Sequence, residues 1–221
     1  MEIRQIIIDN HIYDYQLHIK KIKSCCLKVV SGKIVVSTSP RFSIEMIEKL
    51  ILEHKDAILK QINSYVSKYE YRDGGYVYIF NRKYNICLKD IGILKAVIHE
   101  NDINVYHYQI QMVVEMELKN VLYDYLFMRI KYYIENLFDL EMPEIEIKKL
   151  KSRWGACFPK QNKVSFNLVL VHLDKELIDY VIIHELCHFI WLNHSKQFYH
   201  EIEKRLPDYK VREQRLKEIG I

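Results

Sequence analysis

Between Leu173 and Ile190 the chain runs LDKELIDYVIIHELCHFI. On a helical wheel Leu177, Ile178, Val181, Ile182, Ile183, Leu186, Phe189 and Ile190 surround the axis instead of lining one stripe. A helix apolar nearly all round belongs inside a core, and Asp174 stands where its N-cap would be. Yet this helix also carries His184, Glu185 and His188. Burying two imidazoles and a carboxylate without partners is costly, so the fold has to satisfy all three. Histidines four apart lie one turn above each other on the same face, where two neutral rings can reach one metal ion. His-Glu-x-x-His on a helix is the zinc-hydrolase spacing: two ligands and a carboxylate beside the ion that serves as general base. The sequence therefore predicts one Zn2+ per chain, His184 and His188 as ligands and Glu185 as the catalytic group.

A third ligand has to come from elsewhere. His194, six residues past His188, is the nearest, and Glu201 or Glu203 on a following helix is the rival. The spacing to His194 is that of metzincins, but Trp191 occupies their glycine position and no Met follows Met142, so no Met-turn can form. Without glycine, Asn193 is expected to make the reversal in a left-handed conformation. Ser195 is expected to cap a short helix bearing Phe198, Ile202 and Leu206 and stopped by Pro207. Three imidazoles suit zinc. Cys187 is turned about 60° back from His184, and is read as packing.

Upstream, Tyr13, Tyr15, Leu17 and Ile19 alternate with polar residues after an Asp9-Asn10 turn, and Ser31-Gly32 is a second turn between Leu27–Val30 and Ile34–Val36. Ser43 can cap one helix carrying Ile44, Ile47, Ile51, Ile58 and Ile62. Asp73-Gly74-Gly75 is the clearest break, followed by short strands at 76–80, 83–88, 96–99 and 103–108. The pattern then turns helical from about Gln109 to Phe138. Ile145 and Ile147 mark a strand, and Trp154–Phe158 with Val164–Asn167 a hairpin. The expected architecture is α+β. An antiparallel sheet-plus-helix platform of unknown role at 1–108 precedes a zincin-like domain at 109–221 with a small sheet. No internal repeat is visible.

Five cysteines, none in a C-x-x-C pair, read as reduced thiols. MEIRQIIIDN is not a signal peptide and no apolar run reaches eighteen residues, so a cytoplasmic protein with no membrane partner is expected. The net charge of +4 comes entirely from the first 108 residues, 16 Lys/Arg against 12 Asp/Glu, and is spread along strands. It reads as a solvated face in preference to a nucleic-acid patch.

Lys151-Ser152-Arg153-Trp154-Gly155-Ala156-Cys157, Asn167-Leu168, Ile178 through His188, and Asn193-His194-Ser195 with Phe198 resemble the YgjP-like metallopeptidases, relatives of the SprT and WLM peptidases. The motif-bearing match covers about residues 145–210. It implies zinc on His184, His188 and His194 and a peptide or protein substrate. Position 156 is Ala where the family usually has Ser, so a hydroxyl is absent there.

Arg153 and Trp154 have two readings. Trp154 packs under the metal helix while Arg153 pairs with an acid such as Asp179, or the two flank an exposed strand edge where Arg153 stabilises an oxyanion. Tyr180, one turn before His184, is the leading outer-layer residue, whereas His172, Tyr199 and His200 have no spacing argument. Two other functions stand beside peptide hydrolysis. One is a metal-dependent nucleotide pyrophosphohydrolase of the UTP type, although no phosphate-binding G-x-x-x-x-G-K-[ST] loop is present. The other is a SprT-like protease associated with nucleic acid. Oligomeric state is not encoded in any motif.

Overall fold

The computed structural model describes residues 1–30, 32–64 and 67–220. The chain divides into two compact units, Met1–Ser67 with Ile219–Ile221, and Lys68–Glu218. The boundary expected at 108 thus lies inside the second unit, because the strands before it and the helix after it share one core.

In the first unit, β1 (Glu2–Ile8), β2 (His11–Ile19), β3 (Cys26–Val30) and β4 (Lys33–Thr38) form a sheet in the order β1-β2-β4-β3. Asp9 (φ 47°) and Asn10 (φ 64°) are both left-handed, the two-residue turn whose twist matches its strands. In the second turn Gly32 has φ 71°, while Ser31 lies outside the described residues. β2 and β4 run parallel, so the sheet is mixed where alternation alone suggested an antiparallel one. Period two reports which face is buried and is blind to strand direction. That face presents Ile6, Ile8, Tyr15, Leu17, Ile34 and Val36 to Ile47 and Ile51 of α1 (Ile44–Glu53) and Ile58 of α2 (Lys55–Ser64). Ser43 caps α1 by accepting from the Met46 N–H at 3.3 Å. The single expected helix is broken at His54. Its ring nitrogen bonds the Leu50 carbonyl at 3.0 Å, and its own N–H turns to Ile51 and Leu52. A side chain inserted into the i to i−4 ladder in this way interrupts it.

In the second unit, β5 (Tyr69–Glu70), β6 (Tyr76–Ile79), β7 (Arg82–Leu88), β8 (Ala96–His99) and β9 (Asp102–Val105) make a sheet in the order β5-β6-β7-β9-β8. Its inner residues Val77, Ile79, Ile86, Ile103 and Val105 share a core with Val113, Val114, Leu118 and Leu122 of α3 (Ile110–Leu137). The run β6-β7-β9-β8 followed by a helix repeats the topology of β1-β2-β4-β3 followed by a helix, parallel central pair included. The hairpin turns correspond too, Phe80 (φ 49°) and Asn81 (φ 63°) matching Asp9 and Asn10. Asn10, Tyr13 and Leu17 have the same spacing as Asn81, Tyr84 and Leu88. Three residues are too few to announce a repeat from sequence.

β10 (Glu144–Lys148), β11 (Gly155–Phe158) and β12 (Lys163–Asn167) form a third sheet, β10-β12-β11, with β10 parallel and β11 antiparallel to β12. A 3-10 turn at Pro159–Gln161 and left-handed Asn162 close the β11–β12 hairpin. A second, Leu168–His172, leads into α4 (Lys175–Cys187), followed by α5 (Lys196–Arg205) and α6 (Tyr209–Ile219). Asp174 sits at the N-cap position of α4 without a side-chain capping bond; its carboxylate accepts from Arg215 at 2.6 Å instead. No helix among the described residues is long and apolar enough to cross a membrane.

Candidate metal centre

α4 is buried on almost every side, with Ile178, Ile182 and Leu186 fully enclosed. Its orientation against α3 is set by Asp179. That carboxylate accepts from Arg129 at 3.0 and 2.9 Å and from the Tyr125 hydroxyl at 2.8 Å. The acid expected for Arg153 is therefore engaged by Arg129, because α3 runs along α4. Cys187 is fully buried, as packing requires.

At the end of α4, Phe189, Ile190 and Trp191 donate their N–H groups to Leu186, Cys187 and Cys187. These stacked tight turns reverse the chain. Asn193 is not among the left-handed residues, so the reversal proceeds without the conformation expected of it. Ser195 caps α5 by accepting from the Phe198 N–H at 3.3 Å.

The reversal returns His194 to the α4 histidines. His184 Nε2 and His194 Nε2 face each other at 3.1 Å, and one ligand atom from each of His184, His188 and His194 lies within 4.8 Å of the others. His188 Nδ1–H donates to the Trp191 carbonyl at 3.0 Å, which leaves Nε2 with its lone pair free. Burial, then the neighbouring rings of His188 and His194, push His184 down to about 3. Burial likewise lowers His188. Among the described residues His184 Nδ1 is buried with no hydrogen-bond partner. Three close, mostly neutral imidazoles suit a divalent cation bound at nitrogen. Phe198, fully buried, is the floor of this cluster, with ring centroids 4.9, 4.5 and 4.9 Å from His184, His188 and His194. The sequence pointed to Phe198 as a core residue of its helix and as part of the family resemblance, without placing it under the three rings.

Glu185 points from α4 toward β11 and is 6% exposed. Burial pushes its carboxyl up to about 8, and the Arg153 charge pulls it back down. Arg153 itself is exposed, while Trp154 packs on the main core. Their segment is held by a residue without an assigned role in the sequence. Asn167, fully buried, donates to the carbonyls of Leu150 at 2.8 Å and Arg153 at 3.0 Å.

The Tyr180 ring meets His184 edge-on at 5.8 Å, and Tyr199 lies 6.2 Å from His194. The rival ligands are engaged elsewhere, Glu201 by Arg205 and Lys204 and Glu203 by Lys210. His172 is buried and donates to the Tyr78 carbonyl at 2.7 Å; His200 is exposed.

Two solved structures are similar in part. The metallopeptidase zymogen abylysin of Pyrococcus abyssi is 24% identical, over 41% of this chain and 90% of that one, with a TM-score of 0.38. The metallopeptidase zymogen jannalysin of Methanocaldococcus jannaschii is 26% identical, over 41% and 91%, with a TM-score of 0.37. No curated protein matches the chain. Residues 23–219 match the YgjP-like metallopeptidase domain, a span that contains all three histidines, Glu185 and the strand beside it. The chain belongs to the YgjP-like metallopeptidase family.

Proposed function

We propose that this protein is a zincin-like peptidase in which His184, His188 and His194 hold one zinc ion and Glu185 moves the protons. The convergence of three imidazoles beside a buried carboxylate carries this reading. Bound there, zinc supplies Lewis acidity toward the scissile carbonyl and the attacking water. Glu185 takes the proton from that water and passes it to the departing amine. A buried carboxylate is a stronger base than one in solvent, which suits proton abstraction near neutral pH.

The substrate is proposed to add to β11, which has β12 as its one neighbour among the described residues. Asn167 N–H donates to the Trp154 carbonyl at 2.8 Å. In an antiparallel ladder alternate residues bond to the same neighbour. Trp154, Ala156 and Phe158 therefore turn their backbone groups to β12, and Gly155 and Cys157 turn theirs to the open edge. An extended peptide can bond there as an added strand, with exposed Arg153 placed to stabilise the carbonyl oxygen as charge develops on it. Tyr180 supports the His184 ring. Five unpaired cysteines accord with a reducing, cytosolic location.

The test is hydrolysis by zinc-loaded protein of a fluorescence-quenched peptide pool, set against phosphate release from nucleoside triphosphates. Peptide cleavage is expected, and Glu185→Gln should keep its zinc while losing about 100- to 10,000-fold in kcat. Triphosphate hydrolysis without peptide cleavage would overturn the reading in favour of a nucleotide hydrolase. Undiminished turnover in the zinc-loaded variant would remove Glu185 from the chemistry.

A further inference from the structure

Gly155 is buried in β11, directly opposite Phe166 in the ladder. Its φ is not in the left-handed region, unlike those of Gly32, Gly74, Gly92 and Gly220. Backbone freedom therefore does not explain a glycine here, and a glycine inside a strand weakens it. What the missing side chain provides is space. A Cβ built at Gly155 would lie 2.7 Å from Glu185 Oε1, 2.8 Å from its Cγ and 2.9 Å from its Cδ. Carbon atoms in ordinary contact are about 3.5–4.0 Å apart, so all three contacts are overlaps. They involve the whole outer half of the Glu185 side chain, not one flexible tip. The helix behind Glu185 cannot retreat, because Ile182 and Leu186 are fully buried. The carboxylate would have to swing away.

We infer that Gly155 is a positioning residue for Glu185, its bare Cα forming the surface against which the general base is seated. The inference rests on the role proposed for Glu185. It adds that the strand offered to substrate also fixes where the base stands, so that substrate and base are registered by the same backbone. A displacement of about 1 Å at a reacting group can cost about 100-fold in rate. Substrate binding along the open edge uses backbone groups lying in the plane of the sheet, which a methyl projecting from the sheet face toward Glu185 leaves in place.

The experiment compares zinc-loaded wild type with Gly155→Ala, Glu185→Ala and the double variant Gly155→Ala/Glu185→Ala. The readouts are zinc content, kinetics on the peptide pool, and crystal structures of wild type and Gly155→Ala. Gly155→Ala is expected to retain one zinc per chain and an unchanged KM, to lose about 100-fold in kcat, and to show the Glu185 carboxylate moved off β11. If Gly155→Ala does not fold, the double variant, which lacks the Glu185 Oε1, Cγ and Cδ atoms that the new methyl would overlap, is expected to fold and bind zinc. A Gly155→Ala crystal with Glu185 superimposed on wild type, full turnover, or failure of both variants to fold would each overturn the inference. Should the wild type cleave no peptide, the crystal comparison still decides the role of Gly155, while the peptidase reading fails separately.

Discussion

A buried imidazole is tolerated when it stays neutral, and a buried carboxyl when it keeps its proton or gains a cation nearby. The centre contains both. Removing one ring should therefore act on the ion: His194→Ala is expected to reduce zinc from one per chain to a small fraction by metal analysis, and unchanged stoichiometry would redirect the search to Glu201 or Glu203. The metal-free protein should also show the conflict between these groups as a pH dependence. His184 is depressed from 6.5 to about 3, so its contribution to stability is present above 6.5 and is lost as pH falls toward 3. Glu185 is raised from 4.5 to about 8, so its contribution is present below 4.5 and is lost as pH rises through 8. In urea unfolding after chelation, Glu185→Gln is expected to gain a few kcal/mol over wild type above pH 8, with the gap closing toward pH 4.5. A gap independent of pH would mean that Glu185 ionises in the fold as it does in the open chain. The convergence of His184, His188 and His194, with Glu185 beside them, could be anticipated because it depends on spacing along a helix and one short turn. The contacts of Gly155, Asn167 and Phe198 could not be anticipated, although all three belong to the family motif, because each acts across a gap in sequence that only packing closes.

The element that matters most is the α3–α4 pair. Asp179 is 14% exposed and Arg129 31% exposed, so their bidentate pair is only partly screened. Deleting one partner of a fully buried pair costs about 3–5 kcal/mol. With Arg129 nearly a third exposed, Arg129→Met is expected to cost about 2 kcal/mol in urea unfolding. The double variant Arg129→Met/Asp179→Leu should lose less, because no charge is left behind. Equal losses would show that Asp179 gains nothing from Arg129. Helical periodicity identified both helices, and no local pattern could pair them: positions 129 and 179 become neighbours only through the tertiary fold.

For the whole molecule, the two units have separate cores, and every residue of the centre lies in the second. Residues 68–218 expressed alone are expected to bind one zinc per chain; loss of zinc from a folded fragment would show that the first unit completes the site. Repetition of the ββββα order in both units, with few matching residues, shows how loosely a sheet on a helix constrains its sequence. Alternation and turn residues suffice, so the repeat was invisible in the residues and plain in the topology. Sequence by itself determined the α+β content and the helix that carries His184, Glu185 and His188, because these follow from periodicities of 3.6 and 2 and from side chains at fixed spacing. Only the tertiary structure decided strand direction, the division of the chain near residue 67, the partner of Asp179 and the seating of Glu185 against a glycine. Those are contacts between distant segments, set by which surfaces bury each other and not by any local rule.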